Sequence, residues 1–147
     1  MTCIAWDGTT LAADKLASYG GTVTTVTKIH CINGLLVGGS GESSFIGAML
    51  EWVRSGREPD KFPKSQSDKD DWQPLLVVEL DGTTSLYERT QYPIRHEQRC
   101  IAIGSGREYA MAAMHLGCDA QQAVEVAIAL DCNCGNGIDV LTLKDAA

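Results

Sequence analysis

For most of the chain the apolar positions fall in short runs closed by glycine turns, and in three stretches they recur at helical spacing instead. Residues 3–6 and 9–13 read as two strands joined by Asp7-Gly8, a pair that favours a tight hairpin turn. A polar, Thr-rich stretch over 18–27 has Gly20-Gly21 as its turn, and a second hairpin spans 29–32 and 35–37 around Asn33-Gly34. The corner Gly38-Gly39-Ser40-Gly41 leads into a helix whose apolar face is Phe45, Met49, Trp52 and Val53, and Gly56 ends it. Residues 57–74 are charged, hold three of the four prolines and have no period, so they read as a loop or polar insert. A third hairpin, 75–80 with 84–87, crosses Asp81-Gly82, and 100–103 is a buried strand.

Two more helices carry start signals. Ser105 and Glu108 have the spacing of a capping box, as do Asp119 and Gln122, after which Ala123, Val126, Ala127 and Leu130 form a stripe. Residues 138–143 close the chain as a strand. Hairpins link most strands and the helices are segregated, which predicts a single domain over 1–147 with mainly antiparallel sheets.

A net charge of −7 argues against a nucleic-acid partner, because phosphate contacts need clustered Lys and Arg. No apolar run is long enough for a membrane span and the start lacks signal-peptide character, so a cytoplasmic location is expected. The six scattered cysteines fit that compartment as small hydrophobes. Cys132 and Cys134 form a C-x-C pair without a second pair at zinc spacing, and neither metal nor cofactor is expected.

Thr2 is the candidate nucleophile because of its position. An initiator Met before a small residue is removed by Met aminopeptidases, which would leave an α-amine and a hydroxyl on one residue. The pKa of an α-amine is about 7.7–8.0, so part of it is neutral near pH 7 and can take the hydroxyl proton.

Residues 2–14, TCIAWDGTTLAAD, resemble the opening of proteasome β-subunits and bacterial HslV-type peptidases. The likeness continues in order through Val26-Thr27-Lys28-Ile29, the glycine corner at 38–41, Gly104-Ser105-Gly106 and the 130–135 segment. It implies the four-layer αββα sandwich of N-terminal nucleophile hydrolases, an α+β fold. It also implies roles: Thr2 as nucleophile, Lys28 beside it held charged by Asp14, and Ser105 and Asp131 around the α-amine. By the same likeness Gly41 would donate its N–H to the oxyanion, Ser18 would pair with substrate backbone, and Gly39 would leave the first specificity pocket open. Cys134 stands where the family has a serine, and 57–74 stands where it has a second helix.

The resemblance further implies a threonine peptidase acting on peptides or unfolded protein inside stacked homo-oligomeric rings, with an AAA+ unfoldase as a possible partner. Fold does not fix substrate, so two alternatives stand beside it: a small-amide hydrolase on the same scaffold, and a ring-forming relative without peptide turnover.

Overall fold

The computed structural model describes residues 1–65 and 72–146, so part of the polar insert, 66–71, lies outside the described residues. Among the described residues, eleven strands and four helices run in the order β1 (Ile4–Trp6), β2 (Thr10–Asp14), β3 (Leu16–Tyr19), β4 (Thr22–Thr25), β5 (Ile29–Ile32), β6 (Leu35–Gly39), α1 (Ser43–Arg54), β7 (Leu75–Val78), β8 (Thr84–Tyr87), β9 (Ile94–His96), β10 (Ile101–Ile103), α2 (Arg107–His115), α3 (Ala120–Leu130), β11 (Ile138–Thr142) and α4 (Leu143–Ala146). They form two main antiparallel sheets, β10-β1-β2-β11 and β5-β6-β7-β8-β9, and a separate ribbon, β3-β4.

Alternation along the strands sorts the side chains into layers. In the first sheet Ile4, Trp6, Leu11, Ala13, Ile101 and Ile103 point inward and meet Ile29, Leu36, Leu76, Val78 and Leu86 of the second. Cys3, Ala5, Ala12 and Ala102 point outward and meet α2 and α3 through Ala110, Ala113, Ala123, Val124 and Ala127. On the other side Leu35, Val37, Leu75 and Val77 pack against Phe45, Met49, Trp52 and Val53 of α1. The result is the expected α+β architecture, a four-layer helix–sheet–sheet–helix sandwich.

Several local expectations are corrected. Ser105 does not cap α2, whose N-cap is Gly106 without a side-chain bond, because the Ser105 hydroxyl is turned toward Thr2. Asp119 and Gln122 do form the expected capping box on α3. Leu130 is exposed, and Val124 takes a place in that helix's buried face. The Thr-rich stretch forms the ribbon β3-β4, and β9 is an edge strand that the apolar pattern does not announce.

A single 3₁₀ turn at Pro59–Lys61 brings Phe62 edge-on to Trp52, with ring centroids 4.9 Å apart, and Tyr87 meets Trp52 from the other side at 5.0 Å. The Trp52 indole donates to the Glu58 carbonyl at 2.7 Å. This aromatic cluster shields the end of the sheet beside α1.

Candidate active site

Thr2 lies just before β1 and is nearly buried, at 6% exposure. Its backbone N–H donates to Ser105 Oγ at 3.1 Å, and its hydroxyl donates to the Met1 carbonyl at 2.6 Å. Lys28 Nζ donates to that same carbonyl at 3.3 Å. Two donors thus converge on one carbonyl oxygen, a hydroxyl from just before β1 and an ammonium from the residue before β5.

Asp14 fixes the ammonium. The end of β2 places its carboxylate in full burial, where Oδ1 accepts from Lys28 Nζ at 2.8 Å and from Cys3 N–H at 2.9 Å. Oδ2 accepts from Gly135 N–H at 3.0 Å and Leu16 N–H at 3.2 Å. One side chain therefore ties together the start of the chain, the lysine and the loop after α3. With every lone-pair direction used, burial of this charge is compensated, and Lys28 is only 8% exposed beside it.

The turn 104–106 wraps the other side of Thr2. Gly106 N–H donates to the Thr2 carbonyl at 3.0 Å. Gly104 has φ +94°, and a Cβ there would stand 2.1 Å from the Thr2 carbonyl oxygen, so only glycine lets the backbones approach this closely. Ser105 Oγ lies 3.9 Å from Cys134 Sγ, and that thiol donates to Asp131 Oδ2 at 3.4 Å.

Protonation follows from these contacts. The Asn133 N–H holds the Asp131 carboxyl below its ordinary range against the opposing effect of burial, and the Ser105 hydroxyl and Cys134 thiol add to the lowering. Burial first, then the carboxylates of Asp14 and Asp131, push the Cys134 thiol up to about 12. Burial and the neighbouring Cys134 push the Cys3 thiol higher still. Neither thiol forms a thiolate near pH 7. All six cysteines are free thiols.

A cleft of about 310 Å³ opens beside Thr2 and Lys28, and Ser18, Gly39 and Gly41 line it. The structure thus brings Thr2, Asp14, Lys28, Ser105, Asp131 and Cys134 into one connected set, with Ser18, Gly39 and Gly41 along the adjoining groove. Gly39 lies along this cleft, and a Cβ there would stand 2.6 Å from Ile46, so the backbone of β6 and the side chain of α1 come close together at that point.

Sequence reasoning missed two contributors. Gln73 backs the glycine corner, its Oε1 accepting from Glu42 N–H at 2.9 Å, and a Cβ on Gly41 would strike its side chain. No sequence signal near Gln73 points to that long-range contact. His30 lines the cleft two residues after Lys28, and the alternation of β5 could have found it.

No protein-family model matches the chain, and no curated protein does. Solved structures match over nearly the whole length. Thiobacillus denitrificans BPH is 19% identical, with a TM-score of 0.69, covering 97% of this chain and 98% of that one. The same protein in complex with epoxomicin is 17% identical, with a TM-score of 0.72, covering 97% and 99%. At these identities the likeness shows that the fold is shared.

Proposed function

We propose that this chain is a proteasome-like threonine peptidase whose nucleophile is Thr2 once Met1 is removed. The observation that carries the proposal is the convergence at Thr2 of the Lys28 ammonium, anchored by Asp14, with Ser105 at the Thr2 nitrogen. Sharing a fold with a protein whose structure was solved in complex with epoxomicin, a proteasome inhibitor, supports it.

In this reading, loss of Met1 turns the Thr2 nitrogen from an amide into an amine that can hold a proton. The hydroxyl oxygen attacks the scissile carbonyl and its proton passes to that amine, which Ser105 and Asp131 orient. Lys28 favours the developing alkoxide, and the Gly41 N–H stabilises the tetrahedral oxyanion, a contribution of roughly 3 kcal/mol for one such donor. The C–N bond then breaks, the amine product leaves with the proton, and water hydrolyses the ester to restore Thr2. In the same reading the chain works in stacked rings in the cytoplasm, with an AAA+ unfoldase delivering unfolded protein. The exposed Leu116, Tyr92 and Ile94 are apolar surface that ring contacts would cover. Light scattering should give a particle far larger than 15.8 kDa, and a monomer at micromolar concentration would remove the ring.

Intact mass after incubation with epoxomicin tests the chemistry. The Met1-free chain should gain one inhibitor mass, while the Met1-retaining chain and Thr2→Ala should gain none. Labelling of Thr2→Ala at the wild-type rate would overturn the assignment. The long thiol contacts around Cys134 favour a second reading, a ring-forming relative that labels but turns peptides over slowly.

A further inference from the structure

Asp7 does more than close a hairpin. Its Oδ1 accepts from the N–H groups of Thr9 and Thr10, both at 2.8 Å, and from the Thr9 hydroxyl at 3.0 Å, which is the chemistry of a turn. Its Oδ2 leaves the turn and accepts from the Ala120 N–H at 2.8 Å, 113 residues along the chain. Burial opposes the charge of this carboxyl, yet the N–H groups of Ala120, Thr10 and Thr9 hold its pKa below the ordinary value, so it is ionised at pH 7. Helix α3 already has its own cap in Asp119. The bond from Asp7 adds a tie between the start of that helix and the β1–β2 turn.

The tie bears on position along the helix axis. β1 leads from Thr2 to Asp7, and α3 runs back from Ala120 to Leu130, a length of about 16 Å. Between its ends α3 meets the sheet through Ala120, Ala123, Val124 and Ala127, against Cys3, Ala5 and Ala12. Side chains this small form shallow ridges, which resist sliding less than large interlocking ones. Axial position therefore falls to two flanking carboxylates: Asp7 at the start, and Asp14, which accepts from the Gly135 N–H beyond the end. Asp131 hangs from that far end, its N–H donating to the Ala127 carbonyl at 2.7 Å. From its carboxylate, contacts of 3.4, 3.9 and 3.1 Å lead through Cys134 and Ser105 to the Thr2 nitrogen. The two sulfur contacts are long, so their geometry follows the place of α3 rather than correcting it.

We infer that Asp7 is a positioning residue for the Thr2 nitrogen: by holding the start of α3, it sets where Asp131 stands at the other end. What that position serves rests on the peptidase reading; the hold on Asp131 does not.

Asp7→Asn separates the two jobs of the carboxylate, because an amide has one acceptor oxygen. Kept toward the three donors of the turn, that oxygen leaves an NH2 group against the Ala120 N–H. Asp119→Ala is the control, since it weakens the cap of the same helix and leaves the Asp7 tie intact. Hydrogen exchange over residues 131–135, read by mass, should speed several-fold in Asp7→Asn and stay at the wild-type rate in Asp119→Ala. Epoxomicin labelling of the Met1-free chain should slow roughly tenfold in Asp7→Asn and less than about twofold in Asp119→Ala. In an Asp131→Asn background the Asp7→Asn loss should shrink to less than about twofold, because both changes disturb one group. Unchanged exchange over 131–135 in Asp7→Asn, an equal labelling loss in Asp119→Ala, or the full loss repeated in the Asp131→Asn background would each overturn the inference. Should Asp7→Asn not fold, Asp7→Ser takes its place, since its hydroxyl serves the turn and is too short to reach Ala120. If the wild type takes no label, the peptidase reading fails, and the exchange rates alone decide whether Asp7 holds Asp131.

Discussion

The two flanks of Thr2 are made of different materials. Toward Lys28, a fully buried carboxylate accepts four donors at 2.8–3.2 Å. Toward α3, the thiol of Cys134 reaches Asp131 at 3.4 Å and Ser105 at 3.9 Å. Bonds to a buried carboxylate are short, directional and strong, whereas a thiol is a weak donor whose long contacts tolerate displacement. The flank that holds the Lys28 ammonium is therefore rigid, and the flank that surrounds the nitrogen is adjustable. Substitutions on the first should cost fold and function together, and substitutions on the second should cost less of both.

Asp14→Ala should have the largest effect. It strands the Lys28 ammonium in a nearly closed site and leaves the N–H groups of Cys3, Leu16 and Gly135 without their acceptor. Breaking a buried pair in this way costs about 3–5 kcal/mol, and urea denaturation should show a loss of that size together with absent epoxomicin labelling. Lys28→Ala comes next. Asp14 keeps three backbone donors, so the stability loss should be smaller, while labelling should slow by roughly a hundredfold or more as the alkoxide loses its ammonium. Lys28→Arg should also fail, since a planar guanidinium does not fit the place of a compact ammonium. Labelling near the wild-type rate in either Lys28 variant, with the oligomer intact, would remove Lys28 from the mechanism.

The rigid flank was the more legible one in the sequence. Asp14 ends β2, Lys28 directly precedes β5, and the hairpin turns before the one and after the other are marked by Asp7-Gly8 and Asn33-Gly34, the latter with φ of 52° and 77°. The ribbon β3-β4 was harder to read because β4 is exposed along its whole length, so no apolar alternation develops there. The packing of the polar insert was hidden for another reason: Phe62 reaches Trp52 and Tyr87 only through tertiary packing, which local pattern does not encode. Ser105 carried a helix-cap spacing, yet its hydroxyl serves Thr2, a partner 103 residues away.

A smaller effect is expected at Asp131, and pH separates it from the Asp14 flank. Its folded-state pKa is lowered, chiefly by the Asn133 N–H. A carboxyl of this kind stabilises the fold fully above the unfolded value near 4, and the contribution is lost as pH falls through the lower folded value. Asp131→Asn should therefore be less stable than wild type at pH 7, and the gap in Tm should close as pH drops below about 4. A gap that is constant from pH 7 to pH 3 would show that the charge of Asp131 contributes nothing to the fold.

The smallest change is predicted for Cys134→Ser, and its direction is the sharpest test of the contrast between the flanks. The thiol is protonated, with its pKa near 12, so it acts only as a weak neutral donor to Asp131. A serine hydroxyl is a stronger donor and acceptor than a thiol, and a net hydrogen bond is worth about 1 kcal/mol. Its oxygen is smaller than sulfur, however, and Gly106 packs close to this position, so some contact with the neighbouring Cys3 and Ala127 region is lost. The two terms oppose each other within about 1 kcal/mol, which places Tm close to wild type. The benefit falls on the Thr2 nitrogen, because Ser105 gains a better partner while holding it. Peptide turnover should therefore stay level or rise by a few-fold, with the labelling rate following. A large fall in turnover at unchanged Tm would mean that the thiol itself orders the nitrogen side, and the adjustable flank would then be as demanding as the rigid one.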